Sequence, residues 1–154
     1  MQQAHKAELY QHCCDYVQGL INQAQSGLKN SQKAANMEEK SSAGDKFETN
    51  RAMMHLQMEG FIKRLDHAQE LEKTLLSLTI TPRYKVGLGA LVETDRGWYF
   101  IGVSAPKIII NQQHVTCLST EAPVFKALQG KQADDWVEFS LNGEEDYIEI
   151  LRVI

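Results

Sequence analysis

Up to Pro82 the apolar residues recur every three or four positions. Leu9, Cys13, Val17, Leu20, Ala24 and Leu28 form one series. Met54, Met58, Phe61, Leu65, Ala68, Leu71, Leu75 and Leu78 form a second. Steps alternating between three and four lay apolar side chains along one stripe of a helix, the seam of a coiled coil. Gln, Lys and Glu fill the remaining faces, and no proline interrupts the region before Pro82. One stripe cannot be buried by its own helix. The two helices are therefore predicted to pack antiparallel across a short connection. Each arm runs about 30 residues, or roughly 45 Å at the helical rise. The end of the first arm, SGLKNSQKAANMEEKSS, has few large apolar residues. It predicts a thin, polar distal hairpin, a slender prong suited to a polar channel.

Beyond Pro82 the period changes to two. GALVETDRGWYFIGVS reads as two strands joined by a turn at Asp95-Arg96-Gly97. KIIINQQHVTCLS reads as a second pair around Asn111-Gln112-Gln113, and DWVEFSLNGEEDYIEILRV as a hairpin around Asn142-Gly143. Between them APVFKALQG predicts one short helix, with Pro123 near its start and Gly130 past its end. Alternation sets Tyr99 on the opposite face from Trp98 and Phe100. The expected architecture is α+β: a helical hairpin over 1–79 with its tip near 41–48, then an antiparallel sheet with one helix over 80–154. The boundary falls near Thr79–Lys85.

Charge narrows the partners. The formal net charge is −4 over 154 residues, which disfavours a protein that coats duplex DNA with a basic stripe. Neither half is a charged tail, so sequence-specific DNA binding is not expected. No apolar run approaches the length of a membrane span and the start carries no signal-peptide pattern, so a cytoplasmic protein is expected. Cys13, Cys14 and Cys117 make no CxxC pair, which fits reduced thiols rather than a zinc site or disulfide framework. His5, His12, His55, His67 and His114 lack the spacing of a metal site. Met53, Met54 and Met58 read as gap-fillers in a thin coiled coil, and Arg51 as a solvated charge or a partner contact.

The bend is where chemistry concentrates. Residues 41–54 read SSAGDKFETNRAMM. Asp45 and Glu48 suit a capping box, in which Asp45 accepts from the N3 amide and Glu48 reaches back to the N-cap amide. The same spacing sets both carboxylates on one side of a helical turn, projecting outward from a hairpin tip. Two carboxylates alone bind Mg²⁺ weakly, so they work best as part of a site completed by another molecule.

Two motifs carry a family resemblance. Gly44-Asp45-Lys46-Phe47-Glu48 is similar to Gly-Asp-x-x-Glu, and Ala122-Pro123-Val124-Phe125-Lys126-Ala127-Leu128-Gln129-Gly130-Lys131 is similar to Ser-Pro-x-x-x-Ala-Leu-x-Gly-Lys. Both belong to the Gre family of bacterial transcript-cleavage factors. With the order of hairpin and small domain, the resemblance spans nearly the whole chain. It implies an FKBP-like C-terminal domain and a hairpin that enters the secondary channel of RNA polymerase. It further implies that Asp45 and Glu48 help hold a Mg²⁺ shared with the polymerase active site, which cleaves backtracked RNA and so touches the RNA 3′ end indirectly. Such a chain is an accessory factor rather than an enzyme, binds no cofactor alone and acts as a monomer. Gly44, Phe47, Arg51, Pro123 and Lys131 are the expected partner contacts.

The sequence departs from the family at four places. It lacks a Met-Thr-x-x-Gly opening, carries Ala122 for Ser and Asp134 for Gly, and continues the tip as Thr49-Asn50-Arg51 instead of Asn-Ala-Glu. A Gre-like channel regulator without cleavage is the second reading. An FKBP-like isomerase or chaperone with a coiled-coil arm, and a coiled-coil adaptor with an inert tip, are the others.

Overall fold

The computed structural model describes residues 1–38, 44–141 and 143–154, with the side chains of Glu38, Asp45, Phe47, Leu141 and Glu144 outside that description. Two long helices come first, α1 (His5–Glu38) and α2 (Gly44–Ser77). Six strands follow: β1 (Leu91–Thr94), β2 (Gly97–Gly102), β3 (Ala105–Ile110), β4 (Gln113–Ser119), β5 (Trp136–Leu141) and β6 (Glu144–Val153), with α3 (Pro123–Leu128) between β4 and β5. No described helix is long and apolar enough to cross a membrane. The chain divides into two compact units, Val17–Glu72 and Met1–Tyr16 with Lys73–Ile154.

In the Val17–Glu72 unit the two helices bury Val17, Ile21 and Ala24 of α1 and Ala68 of α2. The expected α2 stripe holds, with Met54, Met58, Phe61, Leu65 and Leu71 half-buried. The α1 stripe shifts. Leu20 and Leu28 are only half-buried, while Ile21 and Ser31 take the buried positions. The steps from Leu9 to Ala24 through Cys13, Val17 and Ile21 are four, four, four and three. The buried row thus departs from a strict alternation of three and four.

In the other unit the sheet runs β3-β4-β2-β1-β6-β5. All expected strands are present, but the sheet is mixed rather than antiparallel. Trp98 to Gly102 of β2 pair in parallel with Val115 to Ser119 of β4. The cause is insertion: β3 takes the outer edge, and β4 returns antiparallel to it into the space beside β2. Hydrophobic alternation reports faces, not neighbours, so this order cannot be read from the pattern. Turn chemistry was readable. Asn111 and Gln112 adopt φ 50° and 64° between β3 and β4, the left-handed pair that a two-residue hairpin requires. Gly130 at φ 75° follows α3, as a helix C-terminus favours.

The sheet buries both faces over its centre. Val92, Ile101, Val137, Ile148 and Ile150 pack with Phe125 and Leu128 of α3, and Tyr99 lies against this cluster. Leu91, Trp98, Phe100, Val115 and Cys117 are buried on the other face. There Cys13 of α1 hydrogen-bonds with Cys117, and a Cβ at Gly102 would stand 3.3 Å from Leu78. The Cys13 thiol is pushed up by that bond and by burial, and the Cys117 thiol is drawn down by the same bond.

Lys6 is the buried charge of this unit, with 0% exposure. Its Nζ donates to the Thr81 carbonyl at 2.8 Å and to the main-chain oxygen of Ile154 at 3.0 Å. Burial first, and the Arg83 guanidinium second, pull its pKa from 10.5 to about 8. Between these values the unfolded chain keeps a proton that the folded chain gives up, so stability rises with pH through the window from about 8 to 10.5. Urea unfolding of the parent chain and Lys6→Met across that window measures the effect. The free-energy difference between them is expected to move in favour of the parent by up to about 3 kcal/mol. The comparison cancels Cys13 and Tyr99, whose raised pKa values act in the opposite direction. A difference that stays flat with pH refutes the assignment.

Candidate functional site

The site begins where α2 begins. Its first residue is Gly44, so positions 45 and 48 lie one turn apart within the first two turns of a 34-residue helix. The helix starts two residues earlier than the capping reading requires, and Asp45 is its second residue. The Glu48 side chain is exposed, as are Lys46, Thr49 and Arg51. The side chains of Asp45 and Phe47, and residues 39–43 including the Ser41-Ser42-Ala43 stretch, lie outside the described residues. A carboxylate in the first turns meets the positive end of the helix dipole, a favourable placement for an acidic residue. An exposed anion in that position can accept hydrogen bonds or complete the ligand shell of a hard cation. Among the described residues, no three His, Cys, Asp or Glu side chains gather as a metal site.

The hairpin supporting this end is loosely filled. Gly27 of α1 faces Phe61 of α2, and a Cβ at position 27 would stand 2.2 Å from the ring. The missing side chain is what admits the ring between the helices. The Arg64 guanidinium stacks over Phe61 at 5.4 Å. Beyond the ring a cleft of about 690 Å³ opens between small residues, Gly27, Ser31 and Ala34 on one side and Gly60 on the other. Met53 is exposed, and Met54 and Met58 are half-buried. Leu56, Gln57 and Arg64 of α2 complete the lining of this cleft, so small, polar and apolar residues share it.

The second group of expected partner contacts lies in the sheet unit. Pro123 occupies the first turn of α3, where a missing amide costs nothing. Lys131 is exposed, while its carbonyl accepts from the Val86 amide at 2.8 Å and its amide donates to Leu128 at 3.1 Å. Asp134 has φ 69°, a left-handed conformation that Asp tolerates better than most residues. Its amide donates to the Ile150 carbonyl at 2.8 Å.

Sequence reasoning missed Lys6, which resembles any exposed helical lysine until its acceptors at Thr81 and Ile154 are known. It also missed the exposed Trp136 and Tyr147 on β5 and β6. The register around Asn142-Gly143 was the signal that could have set these two on one face.

No protein-family model and no curated protein matches the chain. Among solved structures, the transcription factor Gfh1 is similar at 16% identity, covering 90% of this chain and 92% of that one, with a TM-score of 0.37. Gfh1 of Thermus aquaticus is similar at 16% identity, covering 93% and 94%, with a TM-score of 0.35. GreA factor homolog 1 of Thermus thermophilus is similar at 15% identity, covering 91% and 93%, with a TM-score of 0.34.

Proposed function

We propose that this chain is a Gre-like transcription elongation factor. Its hairpin enters the secondary channel of RNA polymerase, and Asp45 and Glu48 stimulate cleavage of backtracked RNA. The observation that carries the reading is the exposed Glu48 carboxylate, one helical turn from position 45 at the start of α2, within Gly44-Asp45-Lys46-Phe47-Glu48. The chain acts as a monomeric accessory factor, and the catalytic centre belongs to the polymerase.

The residue types fit Mg²⁺. That ion takes one or two carboxylates and completes its octahedron with water and substrate oxygens, and an incomplete pair of hard oxygen donors is what this tip offers. When bound jointly by the tip and the polymerase, the ion supplies the charge stabilisation and nucleophile positioning of two-metal phosphoryl transfer. The chain's own part is to deliver and orient. The helix fixes positions 45 and 48 relative to each other at its first turns. Arg51, on the next turn, offers a cation to the polymerase or the RNA backbone.

Stalled, backtracked elongation complexes test the reading directly. Added protein is expected to bind the polymerase and to accelerate release of the RNA 3′ fragment. Binding with no acceleration replaces the cleavage reading with that of a channel regulator. Absence of binding at micromolar protein overturns both.

A further inference from the structure

The sheet face opposite α3 holds one arginine in a specific setting. Arg152 stacks its guanidinium 5.3 Å over Trp98 and pairs with Glu93 at 2.8 Å. Ring, cation and carboxylate meet because Glu93 stands opposite both Trp98 and Arg152 in the register. The same face continues onto β5 and β6, where the ring and the carboxylates recur. The cross-strand pairs there are Trp136 with Glu149, Glu138 with Tyr147, and Ser140 with Glu145. The intervening Val137 and Ile148 point the other way, into the cluster under α3.

This patch is open. Trp136 is 62% exposed, Tyr147 50%, and Leu151 at the neighbouring bulge 47%. Trp136 and Tyr147 are diagonal neighbours, close enough to act as one aromatic surface. The Tyr147 hydroxyl donates to Glu138 at 3.4 Å. Among the described residues, the carboxylates of Glu138, Glu145 and Glu149 enter no ion pair. Large exposed aromatics gathered in one patch mark interaction surfaces, and the charge decides the partner. Three carboxylates repel the phosphates of nucleic acid and of anionic membranes. A purely apolar partner would bury those carboxylates unpaired, at a large desolvation cost. A partner bearing Lys or Arg satisfies the carboxylates and stacks its cations on the rings.

We propose that the β5–β6 face is a docking surface for a lysine- or arginine-rich segment of a partner protein. It engages that segment as Trp98 and Glu93 already hold Arg152. The proposal goes beyond the hairpin's role and stands whether or not the tip acts on RNA polymerase.

The test uses the full chain labelled with ¹⁵N, a synthetic arginine- and lysine-rich peptide, and the same peptide with every basic residue replaced by glutamine. The basic peptide is expected to shift the Trp136 indole resonance and the amides of β5 and β6 in a saturable titration, with the buried Trp98 indole far less affected. Trp136→Ala and Tyr147→Ala, both at exposed positions, are each expected to weaken binding about tenfold, with thermal unfolding reporting that they remain folded. Glu138→Gln is expected to flatten the salt dependence. Shifts scattered over the whole acidic surface, or affinity unchanged in both aromatic variants, overturn the proposal in favour of unspecific polycation binding. Concentration-dependent shifts of the same residues without peptide overturn it in favour of a second copy of this chain.

Discussion

Replacing Glu48 by alanine is expected to lower stimulated RNA cleavage at least about a hundredfold, which corresponds to about 3 kcal/mol of barrier. The same holds for Asp45→Ala. Loss of a ligand to the ion that stabilises transition-state charge has effects of this order. The expected cost to the fold is small. Glu48 is exposed, so its loss removes only a helix-dipole term of about 0.3–1 kcal/mol. Affinity for the polymerase should therefore persist while turnover collapses, and this separation is the diagnostic result. Glu48→Gln sharpens it. The amide keeps the shape and hydrogen-bonding capacity but loses the charge, so a helix-capping role tolerates it and a metal-binding role does not. Raising Mg²⁺ should recover part of the activity of Glu48→Gln, because a weakened ligand set is compensated by mass action. Full cleavage in both alanine variants would reduce the tip acids to a helix start.

The two kinds of element differed in how plainly the chain announced them. The α2 stripe was legible because a long helix repeats its signal over many turns, so the half-buried row from Met54 to Leu71 and the buried Leu75 and Leu78 follow the periodicity. The strand pairs were legible because the turn at Asn111-Gln112 and the glycine at Gly143 demand left-handed backbone. The parallel pairing of β2 with β4 was not, since it depends on which strand fills a gap and leaves no local trace. Nor was the choice of Ile21 over Leu20, where two adjacent apolar residues compete and the phase of the helix decides.

At the candidate site the division is sharper. The spacing of Asp45 and Glu48 and their position after a small-residue stretch were readable, and α2 does begin at Gly44. What a carboxylate is for cannot be read from spacing, because a helix start and a metal ligand ask for the same residues in the same place. Lys6 shows the converse. Its role comes from the Thr81 carbonyl and the Ile154 main-chain oxygen, 75 and 148 residues away in sequence. No window along the chain contains that information.

The connector between α2 and β1 holds a glycine that a single methyl group would disturb. Gly89→Ala is expected to destabilise the protein by about 3 kcal/mol or more, from two separable causes. Gly89 has φ 85°, and a non-glycine residue in that region costs about 1–2 kcal/mol. A Cβ there would also stand 2.3 Å from the Thr79 carbonyl oxygen and 3.4 Å from Leu78. Because the closer obstacle is backbone, no rotamer change relieves it. Moving Gly89 instead strains its amide hydrogen bond to Ile101, 2.8 Å long, which ties the connector to β2. Gly143 supplies the control. Its φ is 86°, and nothing stands within 4 Å of its would-be Cβ. Gly143→Ala therefore carries the conformational cost without the collision. Thermal unfolding of the two variants should place Gly89→Ala lower, by several degrees for a chain of this size. Equal losses would mean that Thr79 yields freely and that the connector is not held against the end of α2.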